Sequence, residues 1–128
     1  MGSFTKGTRK LEISGTLENL RFSKGDLVLF PFPYTDLKDR KIRPCLVLSN
    51  EMREDILLCQ ITSQKIAKDE FCVELKQNQT QQGTLMIDSY IRANMLFTAS
   101  KKQIQKKLCK INNEQYTKVV EMINKMIK

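Results

Sequence analysis

Three short apolar runs, at residues 27–30, 46–48 and 56–61, lie close together between residues 24 and 63 and are rich in Val, Ile, Leu and Phe. Runs of that length suit strands rather than helices, which limits the chain to a fold built on short strands. Between the first two lies a polar stretch, residues 33–43, with Pro31 and Pro33 at its entry, Asp36, Lys38 and Asp39 within it and Arg43 at its exit. Proline has no backbone N–H to donate and resists a central ladder, so the first strand, residues 26–32, is expected to end there and the loop to project. The third strand, residues 55–62, is nearly continuous in apolar residues, which predicts burial on both faces and a central place in the sheet. A curled antiparallel sheet carrying Arg43 and Thr62 at the ends of adjacent strands is the expected outcome.

The other elements follow from local pattern. A second strand is expected at residues 45–50, a polar turn at 50–54, a fourth strand at 71–75, and a mobile hairpin connection through the polar stretch 76–83. A fifth strand is expected at 84–88, then a turn and a short helical piece over 88–96, a short strand at 97–98 and another at 106–111. The chain ends in a helix. Asn112 can cap it with Gln115 in the capping-box position, and Tyr116, Val119, Val120, Ile123, Met126 and Ile127 recur at spacings of three and four. That stripe packs on the sheet and leaves Lys118, Lys125 and Lys128 toward water. Residues 1–21 carry no strong period and are read as an extension, flexible or tag-derived, ahead of a domain at 22–128.

At 128 residues the chain is one domain by length, able to bury a core without staples. No apolar run approaches the roughly 18 residues needed to span a bilayer, and the N-terminus lacks the apolar segment of a secretory signal. A cytoplasmic protein with no membrane partner is therefore expected. The balance of 22 basic against 14 acidic residues gives a net charge of +8, which favours a polyanionic partner. From residue 101 onward there are eight lysines and two glutamates, either a solvated face or a phosphate-contacting one. Cys45, Cys59, Cys72 and Cys109 show no CxxC spacing and are read as buried reduced thiols rather than a disulfide framework or a zinc site. Histidine is absent, which removes the commonest metal ligand and the commonest general base. No metal and no cofactor are expected.

The ordered segments Gly25-Asp26, Phe32-Pro33-Tyr34-Thr35-Asp36, Arg43-Pro44, Leu46-Val47-Leu48-Ser49 and Gln60-Ile61-Thr62-Ser63 resemble the MazF/PemK family of toxin ribonucleases. Farther on, Asp88-Ser89-Tyr90-Ile91-Arg92 and Leu96-Phe97-Thr98 are similar to that family's later segments. Cys109 departs from the pattern, standing where the family usually has glycine. The resemblance implies a mainly β fold with a C-terminal helix, an SH3-like small β-barrel. It also implies the toxin of a type II toxin–antitoxin system, a sequence-selective, metal-independent mRNA interferase that cleaves single-stranded RNA. A homodimer is implied too, and a cognate antitoxin whose acidic flexible segment occupies the RNA groove. The alternative is a non-nuclease toxin on the same barrel that binds a protein target such as DNA gyrase, since one scaffold hosts several functions.

RNA can be cut without a metal when a 2'-hydroxyl attacks its own neighbouring phosphate, given a base, charge stabilisation of the phosphorane and a proton for the departing oxygen. Arg43 offers a permanently charged planar fork that matches two phosphate oxygens, and the resemblance implies the same residue. Thr62 has no histidine to activate it, so its expected role is to hydrogen-bond the scissile phosphate or relay a proton. Asp88 is either a base or orienting group, or an ordinary turn-forming residue. For binding, Tyr34 is expected to stack on an unpaired base, with Phe32 read as core. Lys24, Lys38, Arg40, Lys41 and Arg92 are expected to follow the phosphates, joined by Ser63, Gln64 and Ser89 near the centre. Base preference is expected to reside in the loops at 38–43 and 64–68.

Overall fold

A computed structural model describes residues 21–33, 40–64 and 69–128. Strands β1 (Asp26–Pro33), β2 (Arg40–Val47), β3 (Asp55–Thr62), β4 (Cys72–Leu75), β5 (Thr80–Gln81), β6 (Ser89–Ser100) and β7 (Lys106–Ile111) precede helix α1 (Asn113–Ile127). All pair antiparallel in one 7-stranded sheet of order β4-β6-β3-β2-β1-β7-β5. A flat sheet of that order would hold its edges about 29 Å apart at about 4.8 Å per strand, whereas Leu75 and Thr80, which join β4 to β5, can span only ~18 Å. The sheet therefore curls on itself into a small barrel, the mainly β architecture with a terminal helix that the residue pattern predicts.

Successive strand residues point to opposite faces, and here both faces are apolar. Leu27, Leu46, Cys59 and Ile61 join the inner core with Ile91, Cys109 and the helix residue Val119, while Val28, Cys45, Val47 and Leu58 join a second core with Phe22, Phe30 and Ile104. This explains the unbroken apolar runs, and it confirms β3 as a central strand buried on both sides. Each fully buried Leu or Ile contributes about 1.5–3 kcal/mol through the water it sheds. The four cysteines are free, and burial pushes the Cys59 thiol up to about 12 and the Cys72 thiol up to about 11, with Asp69 adding to the latter. Such thiols are protonated and unreactive at neutral pH.

Helix α1 lays Tyr116, Val119, Met122, Ile123 and Met126 on the inner core. The expected cap is present, with Asn112 Oδ1 accepting from the Gln115 N–H at 2.9 Å. The reciprocal half of the capping box is not made, because Gln115 Nε2 donates to the Glu74 carbonyl at 2.6 Å and ties the helix to edge strand β4. Met122 joins the expected stripe, whereas Val120 and Ile127 are not among the residues packed on that core, and Ile127 is 75% exposed. Lys118, Lys125 and Lys128 face water as expected.

Four local expectations are corrected. β1 does not stop at the prolines but runs through Pro33, paired to Arg40 of β2. Beyond Leu29 it has left its partner β7, so its outer side is an edge on which a missing N–H costs nothing. β2 accordingly begins at Arg40 rather than at residue 45, and Arg43 stands within a strand, not at the exit of a loop. Residues 84–88 form no strand, and the polar connection before them is an ordered 3-10 turn, Gln77–Gln79, followed by β5. The reason is Gln77, whose side-chain amide donates to the Leu85 and Met86 carbonyls at 3.0 Å each and satisfies groups a ladder would have taken. Finally, residues 88–96 hold no helical piece: Ser89, Ile91 and Ala93 are buried in alternation with Tyr90 and Arg92, a period of two, and they belong to the long strand β6. Residues 1–20 of the expected extension lie outside the described residues.

Candidate nucleic-acid cleavage site

Cross-strand register builds the site. β2 pairs Cys45 with Gln60 of β3, where that ladder ends, and Arg43 and Thr62 each stand two residues farther along their strands. On its other side Arg43 pairs with Phe30 of β1. Residues two apart on a strand share a face, so Arg43 and Thr62 lie on the face of Cys45 and Gln60. Both residues line one cleft of about 440 Å³ together with Lys41, Ser63, Gln64 and Ser89. No carboxylate lines it among the described residues, so its lining is cationic and polar over an apolar floor of Leu29, Ile61 and Leu108.

Thr62 Oγ1 accepts the Gln64 N–H at 3.1 Å. The hydroxyl keeps its hydrogen free to donate to a ligand. Ser89 is 2% exposed and its hydroxyl donates to the Ile87 carbonyl at 2.9 Å, so it holds the wall rather than facing solvent. Asp88 Oδ1 accepts the Gln77 N–H at 2.8 Å and does not line the cleft, which is the turn-forming arrangement of the two open readings. Lys24 is not brought to the site: it precedes β1 by two residues and stands six from Phe30, roughly 20 Å along the strand at about 3.3 Å per residue. Arg92 pairs with Cys72 on β4 and lies outside the cleft. Tyr34 and Lys38, the side chain of Arg40 and most of the loop at 64–68 lie outside the described residues. Among those described, no three His, Cys, Asp or Glu side chains gather as a metal site.

Two features escaped the sequence reading. Met86 and Ile87, 81% and 57% exposed, form an apolar rim on the cleft. Beside Arg43 on the outer face, a second hollow of about 430 Å³ is lined by Phe30, Phe32, Gln60 and residues 94–97. Phe30, Phe32 and Phe97 meet there with ring centroids 5.3–5.4 Å apart, and the expectation of Phe32 as a packed residue holds.

The rim is held by Gly83, whose φ of +143° suits only glycine, and a methyl group there would run into the Leu108 carbonyl. Gly83→Ala is expected to lower unfolding stability by about 2–3 kcal/mol in urea titration. An unchanged midpoint would show that the loop relaxes freely.

The fold has clear relatives among solved structures. MazF of a MazE–MazF complex from Deinococcus radiodurans superposes with a TM-score of 0.69 at 17% identity, covering 84% of this chain and 97% of that one. A mycobacterial endoribonuclease in complex with its cognate antitoxin gives 0.62 at 15% identity over 82% and 91% of the two chains. The Mycobacterium tuberculosis toxin MazF-mt6 gives 0.57 at 15% identity over 77% and 93%. No curated protein sequence matches. Identities this low establish the fold alone, but the model of the PemK-like, MazF-like toxins of type II toxin–antitoxin systems matches residues 23–127. Nearly the whole described barrel and its helix fall within that span, and the chain belongs to this toxin family.

Proposed function

We propose that the protein is a metal-independent endoribonuclease that cleaves single-stranded RNA at preferred sequences in the cytoplasm and thereby arrests translation. The observation that carries this reading is the juxtaposition of Arg43 and Thr62 on adjacent strands in a cleft lined by cations and by no described carboxylate. In the proposed step the ribose O2' attacks phosphorus, the P–O5' bond breaks, the 2'-hydroxyl loses its proton and O5' gains one. Arg43 places two N–H donors on the non-bridging oxygens, where negative charge grows in the phosphorane. Thr62, its oxygen already accepting from Gln64, donates its own hydrogen to the same phosphate. Lys41 neutralises the adjoining phosphate, and Asp88 acts through the wall it fastens to Gln77.

The mycobacterial relative is named an endoribonuclease in complex with its cognate antitoxin, and the deinococcal one is a MazE–MazF structure. We extend both properties to this chain and add a homodimer, whose RNA groove is blocked by an antitoxin with an acidic flexible segment attracted by the net charge of +8. Incubation of the protein with a long single-stranded RNA in EDTA tests the nuclease. Discrete cuts with 2',3'-cyclic phosphate and 5'-hydroxyl ends are expected. A folded protein that leaves several long RNAs intact would overturn the reading, and inhibition of DNA gyrase in its place would establish the protein-binding alternative.

A further inference from the structure

The row that begins at Phe30 and Arg43 does not stop at Thr62. β3 pairs Thr62 with Tyr90 of β6, and β6 pairs Tyr90 with Glu74 of edge strand β4. All lie on one face of the sheet, so at about 4.8 Å per strand Tyr90 stands about 5 Å from Thr62 and Glu74 about 10 Å from it. A ribose and its base reach that far from a phosphate. We infer that Tyr90 and Glu74 bind the nucleobase beside the scissile phosphate, Tyr90 by stacking and Glu74 by accepting N–H groups from its edge, and so select guanine at that position. The inference rests on the nuclease reading above and names the base its site selects.

Tyr90 is partly exposed, whereas its neighbours Ser89 and Ile91 are buried on the inner face. Neither Tyr90 nor Glu74 lines the cleft itself; Tyr90 presents its ring beside it, on the sheet face that carries Arg43 and Thr62, and an aromatic ring suits any unpaired base. Glu74 has a 55% exposed side chain on a fixed backbone, since its carbonyl is held by Gln115 Nε2 at 2.6 Å. Its ion pair with Lys76 spans 4.0 Å between two half-exposed groups, which leaves the carboxylate's acceptors open to a ligand. An ionised carboxylate only accepts. Guanine's Watson–Crick edge offers two adjacent donors, N1–H and N2–H, that match its two oxygens. Uracil offers one N–H between two carbonyl oxygens, and those oxygens meet the carboxylate unfavourably. Adenine and cytosine each present a single amino group.

Cleavage of an RNA of randomised sequence, with the cut ends sequenced, tests this on the wild type, Glu74→Gln, Glu74→Lys, Tyr90→Leu and Tyr90→Phe. The wild type is expected to enrich guanine at one position flanking the cut. Glu74→Gln is expected to reduce that enrichment by about tenfold or more, as loss of a charged hydrogen bond does, and Glu74→Lys to abolish it. Tyr90→Leu is expected to lower kcat/KM by about 5- to 100-fold, with Tyr90→Phe recovering most of the loss because the ring, not the hydroxyl, carries the contact. Melting curves confirm that each variant is folded. A wild type that cuts without preferring guanine, a Glu74→Gln variant that keeps the preference, or a Tyr90→Phe variant as impaired as Tyr90→Leu overturns the inference and leaves the nuclease standing. A wild type that does not cut at all overturns both.

Discussion

Arg43→Ala is expected to lower the rate of RNA cleavage by about 10²–10³-fold, the usual cost of deleting a donor aimed at charge that develops in the transition state. The loss should fall on kcat more than on KM, because Lys41, which lines the same cleft, and the protein's net positive charge would still attract ground-state phosphates. Arg43→Lys keeps the charge but not the planar fork, so it should recover only part of the rate. Arg43 is only half-buried, at the cleft, and both of its strand neighbours belong to a ladder that does not depend on its side chain. The melting temperature of Arg43→Ala should therefore stay within a few degrees of the wild type. Single-turnover cleavage of one mapped site, with a melting curve beside it, separates these effects. Cleavage by Arg43→Ala within threefold of wild type would place the reaction centre elsewhere.

Arg43 and Thr62 were legible from the chain because they ride on ordered motifs, Arg43-Pro44 and Gln60-Ile61-Thr62-Ser63, next to apolar runs that can only be strands. What local reading could not supply is register. Tyr90 and Glu74 reach the same row through β6, whose first half, residues 88–96, reads locally as a turn and a short helical piece. The alternation of Ser89, Ile91 and Ala93 was the available signal. The wall at residues 84–88 was missed for another reason. Its backbone is satisfied by the Gln77 side chain, and a long-range amide contact leaves no periodic trace. Pro31 and Pro33 misled in a third way, since a proline forbids a central strand but not an edge, and the sequence does not say where β7 lets go of β1.

The Gly25-Asp26 pair is one of the segments that carry the family resemblance, yet neither residue lines the cleft, and the pair's work is structural. Gly25, at φ +94°, donates its N–H to the Val47 carbonyl and accepts from the Ile111 N–H, both at 2.8 Å. Asp26 has a side chain only 5% exposed, accepts the Ser23 N–H at 2.9 Å and pairs with Lys107 at 3.4 Å and Lys110 at 3.3 Å. Lys110 also donates to the Lys24 carbonyl at 3.0 Å, and Lys107 to the Arg21 carbonyl at 2.8 Å, so one carboxylate organises the entry of the chain onto β7. Removing one partner of a buried pair costs about 3–5 kcal/mol, because the remaining charges lose their compensation. Here the two lysines are 35% and 29% exposed and can turn to water, which puts Asp26→Ala near 3 kcal/mol, the low end of that range. For a domain of this size that is a fall in Tm of about 10 °C. Asp26→Asn, which keeps an acceptor for Ser23 but not the charge, should lose less. Because Asp26 does not line the cleft and stands three residues from Leu29, roughly 10 Å along β1, cleavage assayed well below the lowered Tm should remain within threefold of wild type. A drop in Tm below about 3 °C would show the network to be solvated and weak. A large loss of activity in the folded variant would instead tie this end of the barrel to catalysis.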